Sequence, residues 1–252
     1  MMSLQPSPAS RGRRVTLFGV MIAAIGLPLC YLIWVLKGCR PWLPFISDFD
    51  LAQPEAMLFS FIGTLCPLFV SAGMFYHFRD RLAHLQHISS HRIWWVFEYI
   101  TVGLGLCCCA AVIAIVHLTW TDYLTLHSLL ATLFFYGGTA WVVTLSIGTW
   151  HTSKSDGDLF SLLKIRIVFA IFAFIGLSGM ITNISIYFGS ASFSVEEYVA
   201  LGRDVEHFCR TTLHPSINTV AAFEWLLVFS IISVITTLAF DHTPSYDDDS
   251  VE

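Results

Sequence analysis

The sequence predicts an all-α polytopic membrane protein, a bundle of six transmembrane helices with both termini in the cytosol. Of its 252 residues, 56% are hydrophobic and only 12% are charged, whereas soluble domains carry about 25% charged residues. The apolar residues form six runs, each near the roughly 20 residues that cross a hydrocarbon core of about 30 Å. Nine of the 13 Lys and Arg residues lie in segments on the same side as the termini, which predicts the orientation.

The predicted spans cover residues 15–36, 55–76, 94–117, 125–146, 165–188 and 216–240. A cytosolic tail, residues 1–14, precedes them, and an acidic cytosolic tail, residues 241–252, follows. Arginines before the first span resemble the start of a signal peptide, but the apolar part is too long and no clear cleavage site follows. We therefore interpret the first span as a retained helix. The longest connection, residues 189–215, is too short for a soluble domain.

The seven cysteines differ in predicted depth. Five fall within spans, where small apolar packing residues are expected: Cys30, Cys66, Cys107, Cys108 and Cys109. Cys39 and Cys209 fall in connections assigned to the lumenal side, where an oxidising compartment permits a disulfide. The sequence carries no distance between them, so pairing and two free thiols both stay open.

Ionisable residues concentrate near the predicted lumenal ends of the spans. The candidate cluster consists of Asp48, Glu55, His117, Asp122, His127, His214 and Glu224. An ionisable group at the centre of a span costs about 2.5 to 3.5 kcal/mol on insertion scales, so Glu224 is either a functional group facing the interior or a carboxyl that ties helices together. For His117 and His127, the alternative is an interfacial side chain with its polar tip at the headgroups.

If these groups converge, they suit acid–base chemistry on a lipid ester or the binding of a divalent metal. Neither an H-E-x-x-H motif nor a G-x-S-x-G elbow is present, which weakens both hypotheses. We expect no resident metal, no cofactor and no nucleic-acid partner.

Two features lie on the predicted cytosolic side. Glu98 is a buried acid near that face, for which an ion pair with Arg92 or another base of the second loop is the favoured interpretation. The second loop, residues 77–93, is basic and predicts contact with anionic lipid headgroups. Its His84, His87 and His91 have helical spacing that also fits metal binding, but Asp80 is the only acid beside them.

The polar landmarks, taken in order, resemble the Frag/DRAM/Sfk family of six-span proteins. This family groups the damage-regulated autophagy modulators, the Frag and Sfk proteins, and the factor that acts on GPI-anchored proteins after attachment. "LPFISDFDLAQPE" is similar to the autophagy-modulator branch, whereas "VFEYITVGLGL", with Glu98, and Asp122 five residues before His127 resemble the post-GPI-attachment factor 2 branch. "AAFEWLLVFS" fits both branches, with Glu224 and Trp225 in the position of the family's acid-aromatic pair.

The resemblance implies two functions. The post-GPI-attachment branch implies an accessory factor, rather than a demonstrated catalyst, for fatty-acid reacylation of GPI-anchored proteins in the Golgi or endoplasmic reticulum. Its partners would be membrane lipids and GPI-anchored proteins. The other branches imply a non-enzymatic regulator of autophagy or phosphoinositide signalling in the lysosomal or plasma membrane. A transporter is a third hypothesis, with only Pro28 and Pro67 as possible helix breaks.

Overall fold

The computed structural model describes residues 8–154, 157–189, 194–211 and 215–241, and every regular element in those ranges is helical. The long helices are α1 (Pro8–Leu36), α2 (Glu55–His87), α3 (Arg92–Ile115), α4 (Trp120–Thr152), α5 (Gly157–Gly189) and, last in the chain, α8 (Pro215–Leu238). Two short helices, α6 (Val195–Arg203) and α7 (Val205–Arg210), lie between α5 and α8, and a 3-10 helix, Ile46–Asp50, lies between α1 and α2. Each long helix is apolar enough to cross a membrane. The prediction of an all-α, six-span membrane protein is confirmed.

The helices form a bundle that the last span closes. Helices adjacent in the sequence pack side by side from α1 to α5, and α5 packs against α8. Helix α8 also contacts α1, α2 and α4, so it borders the interior of the bundle. The chain enters and leaves at one end, where the Arg13 guanidinium lies 5.3 Å from the centre of the Phe240 ring. We call this the terminal end, and we call the opposite end, where Cys39 is bonded to Cys209, the disulfide end.

Several helices extend beyond the predicted spans. Helix α1 begins at Pro8 instead of residue 15, since proline is tolerated in the first helical turn. Helix α2 has 33 residues and continues to His87, so most of the predicted second loop is helical. A helix of that length is about 50 Å long, well above the roughly 30 Å of hydrocarbon. The backbone hydrogen bonds of a helix do not require apolar side chains, so hydropathy alone underestimates its length.

Close packing of α5 on α8 depends on small residues. A Cβ atom added at Gly176 would lie 2.9 Å from the backbone nitrogen of Leu227 and 3.0 Å from the carbonyl oxygen of Phe223. Both atoms belong to the α8 backbone, which cannot turn aside as a side chain would. Glycine at this position therefore allows the two helices to approach each other.

Candidate functional site

The connection between α1 and α2 forms a lid over the disulfide end. We use "lid" for residues 39–54. Cys39 and Cys209 are joined by a disulfide, with their Cα atoms 4.9 Å apart, and the Arg40 backbone N–H donates to the Cys209 carbonyl at 2.9 Å. The Trp34 indole N–H donates to the Arg40 carbonyl at 3.1 Å. These contacts attach the start of the lid to both α7 and α1.

Two neighbouring residues of α8 hold the middle of the lid. Glu224 Oε2 accepts a hydrogen bond from the Ile46 backbone N–H at 3.0 Å. The Trp225 indole N–H donates to the Pro44 carbonyl at 2.8 Å. Both side chains are buried, so Glu224 lies inside the bundle below the lid and does not face lipid. The acid-aromatic pair thus connects the last span to the first connection.

A cavity extends from the lid into the bundle. Ile46 and Ser47 of the lid line the upper end of the cavity, which is the end nearest the lid, together with Glu224 and His127. Most of the remaining lining side chains are apolar. It leaves about 160 Å³ for the centres of water-sized molecules, whereas one water needs only about 10 to 15 Å³ by that measure. Cavities with apolar walls stay dry. The physically matched occupant is therefore a hydrocarbon group.

The cavity is tall and follows the helix axes. It is lined on α4 between His127 and Trp141 and on α2 between Phe59 and Met74. At 1.5 Å per residue these stretches rise about 21 and 22 Å. One leaflet of a bilayer supplies about half of the roughly 30 Å of hydrocarbon. The cavity is therefore tall enough for a lipid acyl chain.

His127 has a defined hydrogen-bond role at the upper end of this cavity. Its Nδ1 atom lies 2.6 Å from the Leu118 carbonyl oxygen. A carbonyl oxygen only accepts, so Nδ1 carries the proton. In the neutral ring, Nε2 is then an acceptor. His127 and Glu224, on different helices, are thus brought to one cavity as hydrogen-bond acceptors.

Asp48, which follows Ser47 in the lid, belongs to a group of polar side chains that we call the cap cluster: Arg40, Asp48, Trp120 and Tyr198. The rings of Trp120 and Tyr198 stack with centres 5.1 Å apart. The charge of Asp48 interacts electrostatically with both Arg40 and Tyr198 and contributes to the pKa of each. Arg40 Nε and Nη1 and the Tyr198 hydroxyl are buried without a hydrogen-bond partner among the described residues, whereas the Trp120 indole N–H is directed at the Asp48 carboxyl group and acts on it as a hydrogen-bond donor. Such a concentration of unpaired polar atoms requires an explanation, because buried polar groups are nearly always paired.

Burial dominates the electrostatics of the cap cluster. It raises the pKa of Asp48 to about 7. The Phe45 N–H, which donates to Asp48 Oδ2 at 2.9 Å, the Arg40 charge and the Trp120 indole N–H all oppose this shift. Burial also lowers the pKa of Arg40 and raises that of Tyr198 well above its usual value. Every charge in this cluster is thus poorly solvated and gains from an added polar partner.

The other predicted lumenal residues lie around this site. Glu55 is buried and pairs with Lys37 Nζ at 2.8 Å. His117 is exposed, and its Nε2 lies 3.0 Å from Thr64 Oγ1. Asp122 is exposed and lies 3.8 Å from Arg203 Nη2. His214 lies outside the described residues. The structure therefore brings together Asp48, His127 and Glu224, whereas Glu55, His117 and Asp122 have separate contacts.

A buried ion pair joins α2 and α3 near the terminal end. Arg81 Nε and Nη2 donate to Glu98 Oε1 at 2.9 and 2.5 Å, and both residues are buried. Gly148 of α4 packs over the pair, since a Cβ atom there would lie 2.7 Å from Arg81 Nη2 and 2.8 Å from Glu98 Oε1. The partner of Glu98 is thus Arg81 of the predicted second loop, not Arg92.

A second ion pair joins α5 to the residues after α8. Arg166 Nη2 donates to Asp241 Oδ2 at 2.8 Å, Nε donates to Thr237 Oγ1 at 2.8 Å, and Nη1 donates to Thr149 Oγ1. His77 Nε2 lies 3.3 Å from the same Asp241 oxygen. Burial alone would raise the pKa of Asp241, but the charges of Arg166, His77 and Arg81 outweigh it and lower the pKa to about 2. Asp241, predicted as part of the acidic tail, is buried in this network.

A family comparison agrees with this architecture. The model described as "Frag1/DRAM/Sfk1/Cwh43P N-terminal domain" matches residues 11–245. The chain belongs to this family. No curated protein and no solved structure matches it. As a Frag1/DRAM/Sfk1 family protein with six apolar helices, the chain is a multi-pass membrane protein in contact with membrane lipids.

Part of the candidate site of this Frag1/DRAM/Sfk1 protein has no signal in its sequence. Arg40, Trp120 and Tyr198 have ordinary sequence surroundings, and only the proximity of Arg40 to Cys39 hinted at their position. Within the described ranges, no group of three or more His, Cys, Asp or Glu side chains is placed to hold a metal. Of the predicted basic surface, Arg81 and His84 are buried, while Arg79 and Arg92 are exposed.

Proposed function

We propose that the protein binds a membrane lipid, with an acyl chain in the cavity and the polar headgroup below the lid, and thereby assists lipid remodelling of GPI-anchored proteins. The observation that carries the proposal is the cavity itself. Its walls are apolar over a height that suits an acyl chain, and it ends at Glu224 and His127. A site of this form presents the free glycerol hydroxyl of a lyso-lipid, which is a hydrogen-bond donor, to two hydrogen-bond acceptors.

The GPI-anchor assignment rests on the resemblance of the middle of the chain. Glu98 and the Asp122–His127 spacing match the post-GPI-attachment branch, and Glu98 has a structural partner in Arg81. The role proposed is reacylation with the protein as an accessory factor. Glu224 Oε2 accepts a hydrogen bond from the Ile46 N–H, so in this proposal Glu224 positions the lid as well as the lipid.

The proposed location is the Golgi or endoplasmic reticulum, with the disulfide end in the lumen. Disulfides persist in oxidising compartments, which supports a lumenal position for Cys39 and Cys209. The excess of basic residues at the terminal end supports the same orientation. Exposed Arg79 and Arg92 would then contact anionic headgroups of the cytosolic leaflet.

The cellular test is the lipid composition and surface display of GPI-anchored reporters in cells that lack the protein. We expect the wild-type chain to restore both, and Glu224→Gln and His127→Ala to restore them poorly. Asp122→Asn and His117→Ala are matched controls, because these side chains are exposed at the same end, and should rescue fully. Normal anchors in the deletion cells, with the protein resident in lysosomes or at the cell surface, would favour the regulator hypothesis instead.

The cavity can be tested by itself with a lipid that carries a photoreactive diazirine in its acyl chain. We expect crosslinks to interior residues such as Met74 and Trp141 that excess unlabelled lipid removes. Gly138→Leu should abolish them, because Gly138 lines the cavity. Gly103→Leu is the control, since nothing lies within 4 Å of an added Cβ atom there. Interior crosslinks that Gly138→Leu leaves unchanged would contradict the lipid site.

A further inference from the structure

We propose that the terminal end carries a catalytic pair, Ser90 and His151, that transfers the acyl group of a fatty-acyl ester or thioester whose leaving group bears a phosphate. Ser90 Oγ lies 2.8 Å from His151 Nε2, which is the contact that a hydroxyl nucleophile makes with its general base. Neither residue lines the cavity below the lid. The pair is thus a separate site, and it does not rest on the proposed function.

A tight turn between α2 and α3 holds Ser90. Helix α2 ends at His87, and Ser89 has a φ of 48°, in the left-handed region where glycine is usual. The Ser89 N–H donates to the Gln86 carbonyl at 3.0 Å, and the Ser90 N–H donates to the Leu85 carbonyl at 2.9 Å. These two bonds form a Schellman turn. They fix the backbone of Ser90 just before the start of α3.

Trp94 orients the histidine of the pair. The rings of Trp94 and His151 stack with centres 3.8 Å apart and planes within 8° of parallel. This stacking fixes the plane of the imidazole while Nε2 contacts the Ser90 hydroxyl. In the tautomer that carries its proton on Nδ1, Nε2 is an acceptor and can take the hydroxyl proton. Trp94 is therefore a positioning residue, and His151 is the base.

A groove beside the pair indicates the substrate class. It has a volume of about 390 Å³ and is lined by Ser90, Arg92, Trp95, Val96 and Tyr99, a size that suits a small ligand. Val96 and Tyr99 are exposed on the membrane-spanning helix α3, so they offer an apolar surface to an acyl chain. The exposed guanidinium of Arg92 suits phosphate oxygens. The groove therefore fits an ester with an apolar chain and a phosphate.

The start of α3 can stabilise the charge that develops during the reaction. The first N–H groups of a helix lack intrahelical partners, and the Ile93 N–H is already taken by His91 Nδ1 at 3.3 Å. The Arg92 N–H belongs to the same first turn and follows Ser90 by two residues. A helix N-terminus carries partial positive charge. It therefore favours a negative carbonyl oxygen in the transition state.

The proposed reaction has two balanced steps. In the first, Ser90 Oγ attacks the carbonyl carbon, the hydroxyl proton moves to His151 Nε2, and the bond to the leaving oxygen or sulfur breaks as that atom takes the proton back. The acyl group is then esterified to Ser90. In the second, water or an acceptor hydroxyl attacks this ester, its proton passes to His151, and Ser90 Oγ recovers a proton as the acyl group leaves.

The first test is labelling of the purified full-length protein in lipid nanodiscs by a long-chain alkyl fluorophosphonate, which reacts with activated serines. Peptide mass spectrometry then identifies the modified residue. We expect modification of Ser90 in wild-type protein and its loss in Ser90→Ala. A wild-type protein that is not modified at Ser90 would overturn the proposal. That result requires no variant, so misfolding of a variant does not affect the decision.

Substitutions separate a catalytic pair from a structural hydrogen bond. His151→Gln keeps a polar partner for Ser90 but cannot act as a base, so it should slow labelling by at least about 100-fold. Trp94→Leu should also slow labelling, whereas Trp94→Phe, which keeps a stacking ring, should restore most of the rate. Ser153→Ala is the control, because its hydroxyl donates to the Trp150 carbonyl at the same end. Unchanged labelling of His151→Gln would assign the contact a structural role.

The substrate class is tested by release of palmitate from three defined esters: palmitoyl lysophosphatidic acid, palmitoyl-coenzyme A and monopalmitoylglycerol. We expect at least one phosphate-bearing ester to react at least about tenfold faster than monopalmitoylglycerol, and Arg92→Gln to remove that difference. The faster of the two identifies a membrane lipid or a soluble thioester as the source. Equal release from all three would refute the phosphate preference, and no release from any would refute acyl transfer. The diazirine crosslinks inside the cavity are independent of each result.

Discussion

Replacement of Arg166 by methionine tests whether the terminal end is held together by buried charge. Methionine has a similar length but removes the guanidinium, which makes three hydrogen bonds to Asp241, Thr237 and Thr149. The substitution leaves the Asp241 carboxylate buried without its main partner. Breaking a buried ion pair costs about 3 to 5 kcal/mol, so Arg166→Met should lower the free energy of unfolding by about that amount.

The assay is a double-mutant cycle measured by SDS-induced unfolding in mixed micelles. Arg166→Met, Asp241→Asn and the double variant should give a coupling of at least about 2 kcal/mol, because the two residues are in direct contact. The control cycle uses Arg203 and Asp122, which lie 3.8 Å apart and are both 63% exposed; exposed pairs contribute about 0 to 1 kcal/mol. A buried cycle no larger than the exposed one would refute the reasoning.

The same pair predicts a pH dependence with a definite sign. The pKa of Asp241 is lowered from 3.8 to about 2, so its stabilising effect is complete above its unfolded pKa and is lost as the pH falls through about 2. Between about pH 5 and pH 8, Asp241 itself should therefore add no pH dependence to stability. A marked change in the Asp241→Asn effect across that range would contradict this assignment.

Three further predictions concern other parts of the molecule. Burial raises the pKa of Asp48 from 3.8 to about 7, so wild-type melting temperature should fall as the pH rises between these values, and Asp48→Asn should remove that component in a melting series. Cys39→Ser should lower the free energy of unfolding by about 2 to 5 kcal/mol and abolish the mobility shift on reduction. Cys107→Ser, at an exposed free cysteine, is the control for loss of a thiol and should do neither. Gly176→Leu should cost about 1 to 3 kcal/mol by overpacking α5 on α8, while Gly103→Leu, in open space, should cost little in the same unfolding assay.

The spans could be predicted from sequence because hydropathy is a local property. The hydrophobicity of each apolar run predicts whether that run crosses the membrane, and the rest of the chain is not needed for the prediction. Helix ends were less predictable, as α2 shows. Its last turns carry polar residues up to His87, and the backbone hydrogen bonds of the helix continue through them although the apolar run has already ended.

The site was partly predictable for a related reason. Glu224 and His127 stood out as ionisable groups at a known depth, and depth follows from residue number in a helix. Arg40 and Tyr198 did not, because their positions depend on the disulfide and on α6. Asp241 looked like the start of a solvated acidic tail, although its partner Arg166 is 75 residues earlier in the chain. Contacts between distant segments leave no local pattern.

The Arg166–Asp241 pair also has a consequence for biogenesis. The cation precedes its acid by 75 residues, which ribosomes add in about 4 to 15 s at 5 to 20 residues per second. During that interval α5 carries a guanidinium that must be shielded by water or by the insertion machinery. A chain that stops before Asp241 never neutralises this charge. Incomplete products therefore keep the Arg166 cation without its acid partner and with only hydroxyl acceptors such as Thr149.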